Sequence, residues 1–371
     1  MKASVNEQSM TDQLYTELAR LIPRWAEELG FQQAGISDTN LGDHEESLRR
    51  WLEAGYHGDM HYMLQHGTKR SRPSDLITGT LRVISVRMDY LPESDGIKKT
   101  LSNKQLAYIS RYALGRDYHK VLRARLKKLE IKISNFLSDS GIEGFNARVF
   151  TDSAPVLEKA LAEKAGLGWI GKNTLLLNRK AGSWFFLGEI FTNIPLPVNS
   201  VTATNLCGSC SACLDICPTQ AIIAPYQLDA RLCISYLTIE NKGEIPESLR
   251  IPMGNRIFGC DDCQVVCPWN RYARVTREGD FRPRHGLQSK DLLSLFAWSE
   301  ADFLKKTEGS AIRRTGYSGW LRNISVALGN ANHDQAIIQA LKEKLGTVNH
   351  MVAEHIEWAI RQQQLKKNQL I

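Results

Sequence analysis

The sequence has no apolar run that approaches the ~18 uncharged residues that a membrane-spanning helix needs. Its first residues, Met-Lys-Ala-Ser-Val-Asn-Glu-Gln, are polar and lack the apolar core of a signal peptide. The chain also carries eight cysteines, and thiols that must stay reduced or bound to metal indicate a reducing compartment. We therefore expect a cytoplasmic protein that makes no contact with a membrane.

The common nucleotide and corrinoid signatures are also missing. No G-x-G-x-x-G follows a predicted strand, so a nicotinamide or flavin in a Rossmann pocket is unsupported. The glycine-rich stretch 166–174 follows a helix and lacks the spacing of a Walker A loop, although its glycines would allow close approach to a large flat ligand. The corrinoid signature D-x-H-x-x-G fails because Leu122 stands where the glycine should follow Asp117 and His119.

Basic residues are unevenly distributed along a chain whose formal net charge is +7. The range from Lys98 to Lys132 contains 11 Lys or Arg and two acidic residues, a local charge of +9. The range from Arg271 to Asn330 contains 11 Lys or Arg and six Asp or Glu, a local charge of +5. Such tracts are either solvated helix faces or the footprint of a phosphate-rich partner, and charge alone does not separate the two interpretations.

The cysteines form two runs with bacterial ferredoxin spacing. Cys207 to Pro218 is a C-x2-C-x2-C-x3-C-P run, and Cys260 to Pro268 is the same run with Ile257 in place of its first cysteine. In this spacing the first three cysteines of a run bind one cluster and the fourth binds the other. With Cys233 filling the vacancy, the predicted ligand sets of two [4Fe-4S] clusters are Cys207, Cys210, Cys213 and Cys267, and Cys217, Cys233, Cys260 and Cys263.

Two other interpretations of the cysteines remain open. Paired C-x2-C units also form structural zinc sites, but zinc requires neither a third cysteine two residues later nor the C-x3-C-P ending. A disulfide framework is typical of short secreted chains rather than of 371 residues. Two clusters in one small module would transfer electrons singly to something bound by the rest of the chain.

The length allows two or three domains, and the 43% apolar and 23% charged residues are ordinary for a globular protein. Helices and strands alternate over residues 1–199, which indicates an α/β domain. The cysteines lie in a ferredoxin-like module over residues 200–285. Residues 286–371 have an all-α pattern that resembles HEAT-type stacked helices. The expected helices are 11–30, 117–141, a helix ending at 166 with Pro155 in its first turn, 335–345 and 350–362, and the expected strands are 31–36, 82–90, 145–150 and 183–192.

Asp152 is the candidate catalytic residue. It follows a predicted strand and precedes a helix, and ligands of open α/β sheets bind at the carboxyl ends of strands. An aspartate in this position is also a common helix N-cap, although Ser153 could cap instead.

Several longer motifs together resemble the epoxyqueuosine reductases over nearly the whole chain. They are Arg111 to His119, Thr151 to Glu158, Ala165 to Asn173, the run from Cys207 to Pro218, Cys233-Ile-Ser-Tyr, and Gly254 to Cys263. The resemblance implies an enzyme that reduces the epoxide of epoxyqueuosine at the wobble position of tRNA to give queuosine. It implies two [4Fe-4S] clusters and cobalamin, which this family holds between the α/β and cluster domains, in an architecture similar to the reductive dehalogenases.

The resemblance also implies roles for individual residues. Asp152 becomes the proton donor, and burial is expected to raise its pKa so that it is protonated near neutral pH. Besides Asp152, the positions implied to contact cobalamin are Arg70, Ser110, Lys172, Asn173, Leu176 and Leu187. The basic tracts and the helical end would bind the tRNA anticodon stem-loop of a monomeric enzyme. A flavodoxin or ferredoxin would supply the electrons.

Two alternatives compete with this hypothesis. A corrinoid reductive dehalogenase would share the cofactors, but such enzymes usually carry an export signal and do not need basic tracts. An electron-transfer protein of the ferredoxin type would not need some 200 residues ahead of the clusters. Bound corrinoid separates the electron-transfer protein from both enzymes, and salt-sensitive binding of a tRNA stem-loop separates the two enzymes.

Overall fold

The structure is a computed structural model that describes residues 2–93, 96–199 and 205–369, without the side chains of residues 2–8. The predicted boundary at residue 200 lies outside these ranges. No helix within them is long and apolar enough to cross a membrane. The α-helices are α1 Lys2–Glu28, α2 Gly42–Glu53, α3 Pro73–Leu76, α4 Ile97–Ser102, α5 Tyr118–Asp139, α6 Glu158–Lys164, α7 Ala212–Asp215, α8 Ile234–Ile239, α9 Glu247–Met253, α10 Asp262–Val265, α11 Leu292–Phe296, α12 Glu300–Lys306, α13 Gly316–Asn330, α14 Gln335–Leu345 and α15 His350–Asn368. The strands are β1 Gln33–Ser37, β2 Arg82–Asp89, β3 Tyr108–Ile109, β4 Ala147–Phe150, β5 Trp169–Ile170, β6 Leu176–Leu177, β7 Phe185–Thr192, β8 Ile222–Ala224, β9 Gln227–Leu228 and β10 Arg256–Phe258.

A four-stranded sheet of order β1-β2-β7-β4 forms the centre of the N-terminal part. All three strand pairings in it are antiparallel. Every residue of β7 is buried because helices cover both faces of this strand. Phe186 and Ile190 pack on one face with α1 and α5, and Phe191 packs on the other face with α6. Gly188 faces α5, where a Cβ atom would lie 2.8 Å from Leu126 Cδ1, so glycine lets the helix approach the sheet closely.

The predicted elements are present, with differences at their ends and in their arrangement. The mixed α/β content is confirmed, but the crevice rule used for Asp152 applies to parallel strands and therefore does not apply to this antiparallel sheet. Pro155 is not in the first turn of α6, which begins at Glu158. Residues 151–155 form bends instead, and Asp152 has φ = 51°.

Short contacts join the N-terminal part to the cysteine-containing part. Strand β3 pairs in parallel with β10, just before Cys260. The buried carboxylate of Asp261 accepts hydrogen bonds from the Tyr108 hydroxyl at 2.7 Å, the Ser110 hydroxyl at 2.5 Å and the Arg111 N–H at 2.8 Å. The segment 108–111 is thereby fixed against the second cysteine run.

The C-terminal helices share one hydrophobic core with the later half of the cysteine-containing region. That core includes Ile234 and Phe258 together with Trp320, Ile324 and Ile356. Helix α13 is buried from Trp320 to Gly329 and packs against α15 and β10. The all-helical character of this end is confirmed, while its likeness to HEAT repeats stays a prediction.

Arg322 of α13 ties this helical end to the region around Cys233. Its side chain is fully buried and donates to the backbone oxygens of Leu237, Asn241 and Gly243 and to the Asn323 side chain. Burial lowers the pKa of Arg322 to about 10, so the guanidinium stays charged at neutral pH.

Arg322→Met is expected to lower the free energy of unfolding by about 3 kcal/mol or more, because several buried carbonyls lose their donors at once. Urea denaturation of the full chain measures this. Arg361→Met, at an exposed arginine of α15, is the matched control and should change stability by less than about 0.5 kcal/mol. Equal losses in the two variants would contradict a special role for Arg322.

Candidate active site

A cavity of about 990 Å³ lies between the N-terminal sheet, the cysteine-containing region and the segment 308–314 that precedes α13. Aromatic side chains form much of its wall: Tyr90, Tyr112, Tyr118, Phe185 and Phe186. Its polar wall includes Asp152, His119, Ser110 and Asn173. A large cavity with an aromatic wall and converging polar side chains is the usual form of a cofactor or substrate site.

Asp152 lies on the wall of this cavity, at the end of β4. Its left-handed backbone conformation is uncommon for a residue with a side chain and is associated with functional loops. The Tyr118 hydroxyl donates a short hydrogen bond to Asp152 Oδ2. The Tyr118 ring stacks on Phe186 with centroids 4.0 Å apart, which fixes the hydroxyl in place. The N-cap alternative for Asp152 is wrong, since the N-cap residue of α6 is Leu157.

His119 lies between two carboxylates. Its Nδ1 is 2.7 Å from Asp117 Oδ1, and its Nε2 is 3.5 Å from Asp152 Oδ2. Burial acts to lower the pKa of His119, but hydrogen bonds and charge attraction from both carboxylates outweigh it and raise the pKa to about 9. The imidazole is therefore protonated at neutral pH.

The expectation that burial makes Asp152 a neutral acid is wrong for this arrangement. Burial acts to raise its pKa, but the hydrogen bonds from His119 and Tyr118 and the positive charges of His119 and Arg314 lower it below the ordinary value. Asp152 is an ionised carboxylate, and the proton beside it is held by His119.

Two further carboxyl groups lie on the sheet side of Asp152. Glu158 Oε1 accepts a short hydrogen bond from the Asp152 N–H, and the carboxyl of Glu189 on β7 is the acidic neighbour of the Glu158 carboxyl. Burial, followed by the charge of Asp152, raises the pKa of Glu158 to about 8. Burial and the Glu158 charge raise the pKa of Glu189 well above its ordinary value.

The eight cysteines are all free thiols and divide between two cavities. Cys217, Cys233, Cys260 and Cys263 line the large cavity. A second cavity of about 230 Å³ is lined by Cys207, Cys210, Cys213 and Cys267, together with Trp269. These groups of four are the two predicted ligand sets, so the donor chemistry fits two [4Fe-4S] clusters.

Neither alternative for the cysteines matches their geometry. No disulfide joins any of the eight. Within the described ranges, no group of three or more His, Cys, Asp or Glu side chains converges as a single metal ion would require.

The predicted cobalamin contacts lie in different places. Ser110 and Asn173 line the large cavity. Lys172 lines the smaller cavity, where its ammonium donates to the backbone oxygens of Gly208 at 2.6 Å and Cys210 at 3.0 Å. Lys172 therefore binds the first cysteine run rather than reaching into the large cavity.

The other predicted contacts, Arg70, Leu176 and Leu187, are buried side chains that do not line the large cavity. Arg70 donates to the Tyr62 backbone oxygen at 3.1 Å, and its buried Nε has no hydrogen-bond partner among the described residues. Leu176 and Leu187 belong to a hydrophobic cluster with Phe185, whose ring reaches the cavity wall. A contact between cobalamin and any of the three stays a prediction.

A third, basic cavity of about 460 Å³ adjoins the large one. Its lining includes Arg116, Lys120, Arg282 and Arg284 against Asp280 and Glu308, and it shares Lys120 and Glu308 with the large cavity. Arg116 lies 3.4 Å from Asp280, and Arg284 donates to the Glu308 backbone oxygen at 3.0 Å. Lys120 and Arg282 take part in no ion pair among the described residues.

Sequence reasoning missed Tyr118, His119 as a proton holder, Glu158 as a partner of Asp152, and Glu189. Tyr118 and His119 lie inside the motif from Arg111 to His119, directly after Asp117. This grouping of a carboxylate, a phenol and an imidazole was the available signal in the sequence. Glu189 also had a signal in the sequence, because it is a charged residue within the otherwise mostly apolar strand β7.

Comparison with known proteins gives two matching family models. Residues 70–153 match the model described as epoxyqueuosine reductase QueG, DUF1730. Residues 206–270 match the 4Fe-4S double cluster binding domain. The first match ends one residue after Asp152, and the second contains all eight cysteines.

Similar proteins cover nearly the full chain. An epoxyqueuosine reductase of Pseudomonas aeruginosa is 61% identical over 344 residues, which are 93% of this chain and 94% of the relative. A crystal structure of an epoxyqueuosine reductase with an epoxyqueuosine-modified tRNA stem-loop is similar with a TM-score of 0.79 at 25% identity, covering 94% and 100% of the two chains. The Bacillus subtilis epoxyqueuosine reductase, with its aspartate catalytic loop swung out of the active site, has a TM-score of 0.79 at 26% identity and coverage of 94% and 99%.

Proposed function

The chain belongs to the epoxyqueuosine reductase family, and we propose that its large cavity is where the epoxide of epoxyqueuosine in tRNA is reduced to the alkene of queuosine. The observation that carries this is the meeting of Asp152 and the thiols of Cys217, Cys233, Cys260 and Cys263 at one cavity. A proton-transfer site and an electron-transfer site thus face the same space.

Reduction of the epoxide needs both a source of electrons and a source of protons. Converting an epoxide to an alkene breaks two C–O bonds, consumes two electrons and two protons, and releases the oxygen as water. The protein must therefore deliver electrons to carbon and protons to oxygen at one place. Two [4Fe-4S] clusters, bound by the two groups of cysteines, would supply the electrons one at a time.

The large cavity also fits cobalamin. Its volume and its aromatic wall suit a large flat ring, the hydroxyl of Ser110 borders it, and the buried Nδ2 of Asn173 on its wall has no hydrogen-bond partner among the described residues. Cobalamin bound there would supply a strongly reducing cobalt centre for the epoxide. Ser110, Asn173 and the aromatic side chains would hold it.

The proton chemistry belongs to Asp152 and His119. The protonated imidazole and the carboxylate lie side by side on the cavity wall, with Tyr118 holding the carboxylate. Asp152 can receive a proton from His119 and pass it to the departing oxygen, so a neutral resting acid is unnecessary. The swung-out aspartate loop of the Bacillus subtilis relative supports the assignment of the Asp152 loop to catalysis.

The tRNA would bind at the basic cavity beside the active site. The complex of the related enzyme with a modified tRNA stem-loop supports this class of partner. Lys120 and Arg282 carry charges without an ion-pair partner in the described structure, and Lys120 also reaches the catalytic cavity. A phosphate next to the modified nucleotide would neutralise these charges.

Lys120→Ala and Arg282→Ala are each expected to weaken binding of an epoxyqueuosine-containing stem-loop. Each should also reduce the slope of log Kd against log salt by about 0.7, the value for one lost phosphate contact on single-stranded RNA. Fluorescence anisotropy at several salt concentrations measures both quantities. Arg20→Ala, at an exposed arginine of α1, removes the same charge and should leave the slope unchanged. Equal slopes in all four proteins would contradict phosphate binding at the basic cavity.

We further propose a monomeric, cytoplasmic enzyme that takes its electrons from an external flavodoxin or ferredoxin. Anaerobic purification followed by iron, sulfide and cobalt analysis tests the cofactor assignment. About eight iron atoms per chain, with corrinoid retained after cobalamin is added, is the expected result. Iron without corrinoid binding would favour the electron-transfer alternative.

A further inference from the structure

Glu189 is an acid in the interior of the sheet. It is fully buried on β7, on the α6 face, opposite Ser85 of β2. Neither of its buried carboxyl oxygens has a hydrogen-bond donor among the described residues, and the carboxyl of Glu158 is its acidic neighbour. Two ionised carboxylates have only acceptors, so this contact requires a proton on one of them. An unpaired buried charge would otherwise be costly.

The Glu158 carboxyl also contacts the catalytic loop, residues 151–155. Its Oε1 accepts the N–H of Asp152, whose φ of 51° is held against the ordinary preference of a non-glycine residue. The next residue, Ser153, accepts a hydrogen bond of 2.7 Å from Arg123. Glu158 therefore connects the interior of the sheet to the backbone of the catalytic aspartate.

We propose that Glu158 and Glu189 share a proton and form a latch that holds the Asp152 backbone in its left-handed conformation. The latch keeps the Asp152 carboxylate beside His119 and at the cavity wall. This inference rests on the proposed role of Asp152 in catalysis. Glu158 and Glu189 are positioning residues, since neither lines the large cavity.

The surroundings of the latch make it sensitive to pH. The groups that face Glu158 are Asp152 on its loop, Glu189 on β7, Tyr118 and His119 on α5, and Lys159 on α6. The pKa of Glu158 is raised in the folded protein, so the Glu158 carboxyl is neutral at neutral pH and becomes an anion as the pH rises through about 8. The anion formed there faces the Asp152 carboxylate, and repulsion between them should open the latch.

Glu158→Ala and Glu158→Gln test the latch, because glutamine keeps both the acceptor and a permanent donor. Amide hydrogen exchange of the peptide containing Asp152 should become about tenfold faster or more in the alanine variant. Turnover of the stem-loop should fall by about 100-fold with little change in KM, as expected from a misplaced catalytic group. The glutamine variant should recover most of both losses, and its protection should no longer decline through pH 8.

Glu163→Ala is the matched control. Glu163 also lies on α6 and accepts a backbone N–H, that of Ile170 in β5 at 2.6 Å, but no hydrogen bond joins it to the catalytic loop among the described residues. Equal acceleration of exchange in the Glu163 and Glu158 alanine variants would overturn the proposal, as would unchanged exchange in Glu158→Ala. A glutamine variant as impaired as the alanine variant would overturn the shared proton. If wild-type protein shows the expected exchange but never reduces the epoxide, the latch stands and the proposed function fails.

Discussion

Asp152→Ala is expected to reduce turnover of an epoxyqueuosine-containing tRNA stem-loop by about 10²–10⁴-fold, the usual contribution of a positioned acid–base group. Iron and sulfide content should stay at wild-type values, because Asp152 belongs to neither group of thiols. Corrinoid content should also stay, since Ser110, Asn173 and the aromatic wall would hold the ring. Single-turnover conversion measured by mass spectrometry gives the rate. Wild-type turnover in this variant would remove Asp152 from the mechanism.

Asp152→Asn separates the charge of the side chain from its shape. Asparagine keeps the size and can still accept from Tyr118, but it cannot take up a proton and does not attract the imidazolium. Turnover should therefore stay as low as in the alanine variant. The pKa of His119 should fall from about 9, because one of the two carboxylates that raise it is gone. An NMR titration of the imidazole measures this shift, and Asp139→Asn, at an exposed residue near the end of α5, should not produce it.

Cys233→Ala is expected to abolish turnover and to lower the iron content from about eight to about four atoms per chain. Cys233 lies outside both cysteine runs, yet it lines the large cavity with Cys217, Cys260 and Cys263. The position that a complete second run would use is Ile257, which is fully buried in the hydrophobic core. No other free thiol in the chain is available to replace Cys233.

Cys207→Ala is the matched comparison. It removes a thiol from the smaller cavity, so its remaining cluster should be the one at the large cavity. Electron paramagnetic resonance of the two reduced variants should give two different single-cluster spectra. Identical spectra, or full iron content in Cys233→Ala, would contradict the division into two groups of four.

The parts of the fold that the sequence predicts well are those fixed by local patterns. Helices α5, α14 and α15 have clear periodicity, and strands β2 and β7 are continuous runs rich in β-branched or aromatic residues. The structure places them within a few residues of expectation, except that α15 continues to Asn368, six residues past the predicted end at 362. The direction of strand pairing depends on contacts distant in sequence, so the antiparallel sheet could not be deduced from alternating helices and strands. The bend at 151–155 likewise depends on Glu158 and Arg123, which contact it through their side chains.

The candidate site also has features that the sequence predicts and features that depend on contacts distant in sequence. Seven of the eight thiols could be grouped from the spacing of the two runs, and Cys233 is assigned to the position that Ile257 leaves vacant. The protonation of Asp152 could not be predicted, since burial alone suggests a raised pKa and only the positions of His119 and Tyr118 reverse it. Glu189 needs the sheet register to be recognised as a partner of Glu158.

The most direct test of the whole account is anaerobic reduction of an epoxyqueuosine-containing tRNA stem-loop by the purified protein, with and without added cobalamin and with a strong one-electron donor. We predict conversion to the queuosine-containing product, lighter by one oxygen atom, only when both iron–sulfur clusters and cobalamin are present. Conversion at the same rate by corrinoid-free protein, or no conversion by protein loaded with both cofactors, would contradict it.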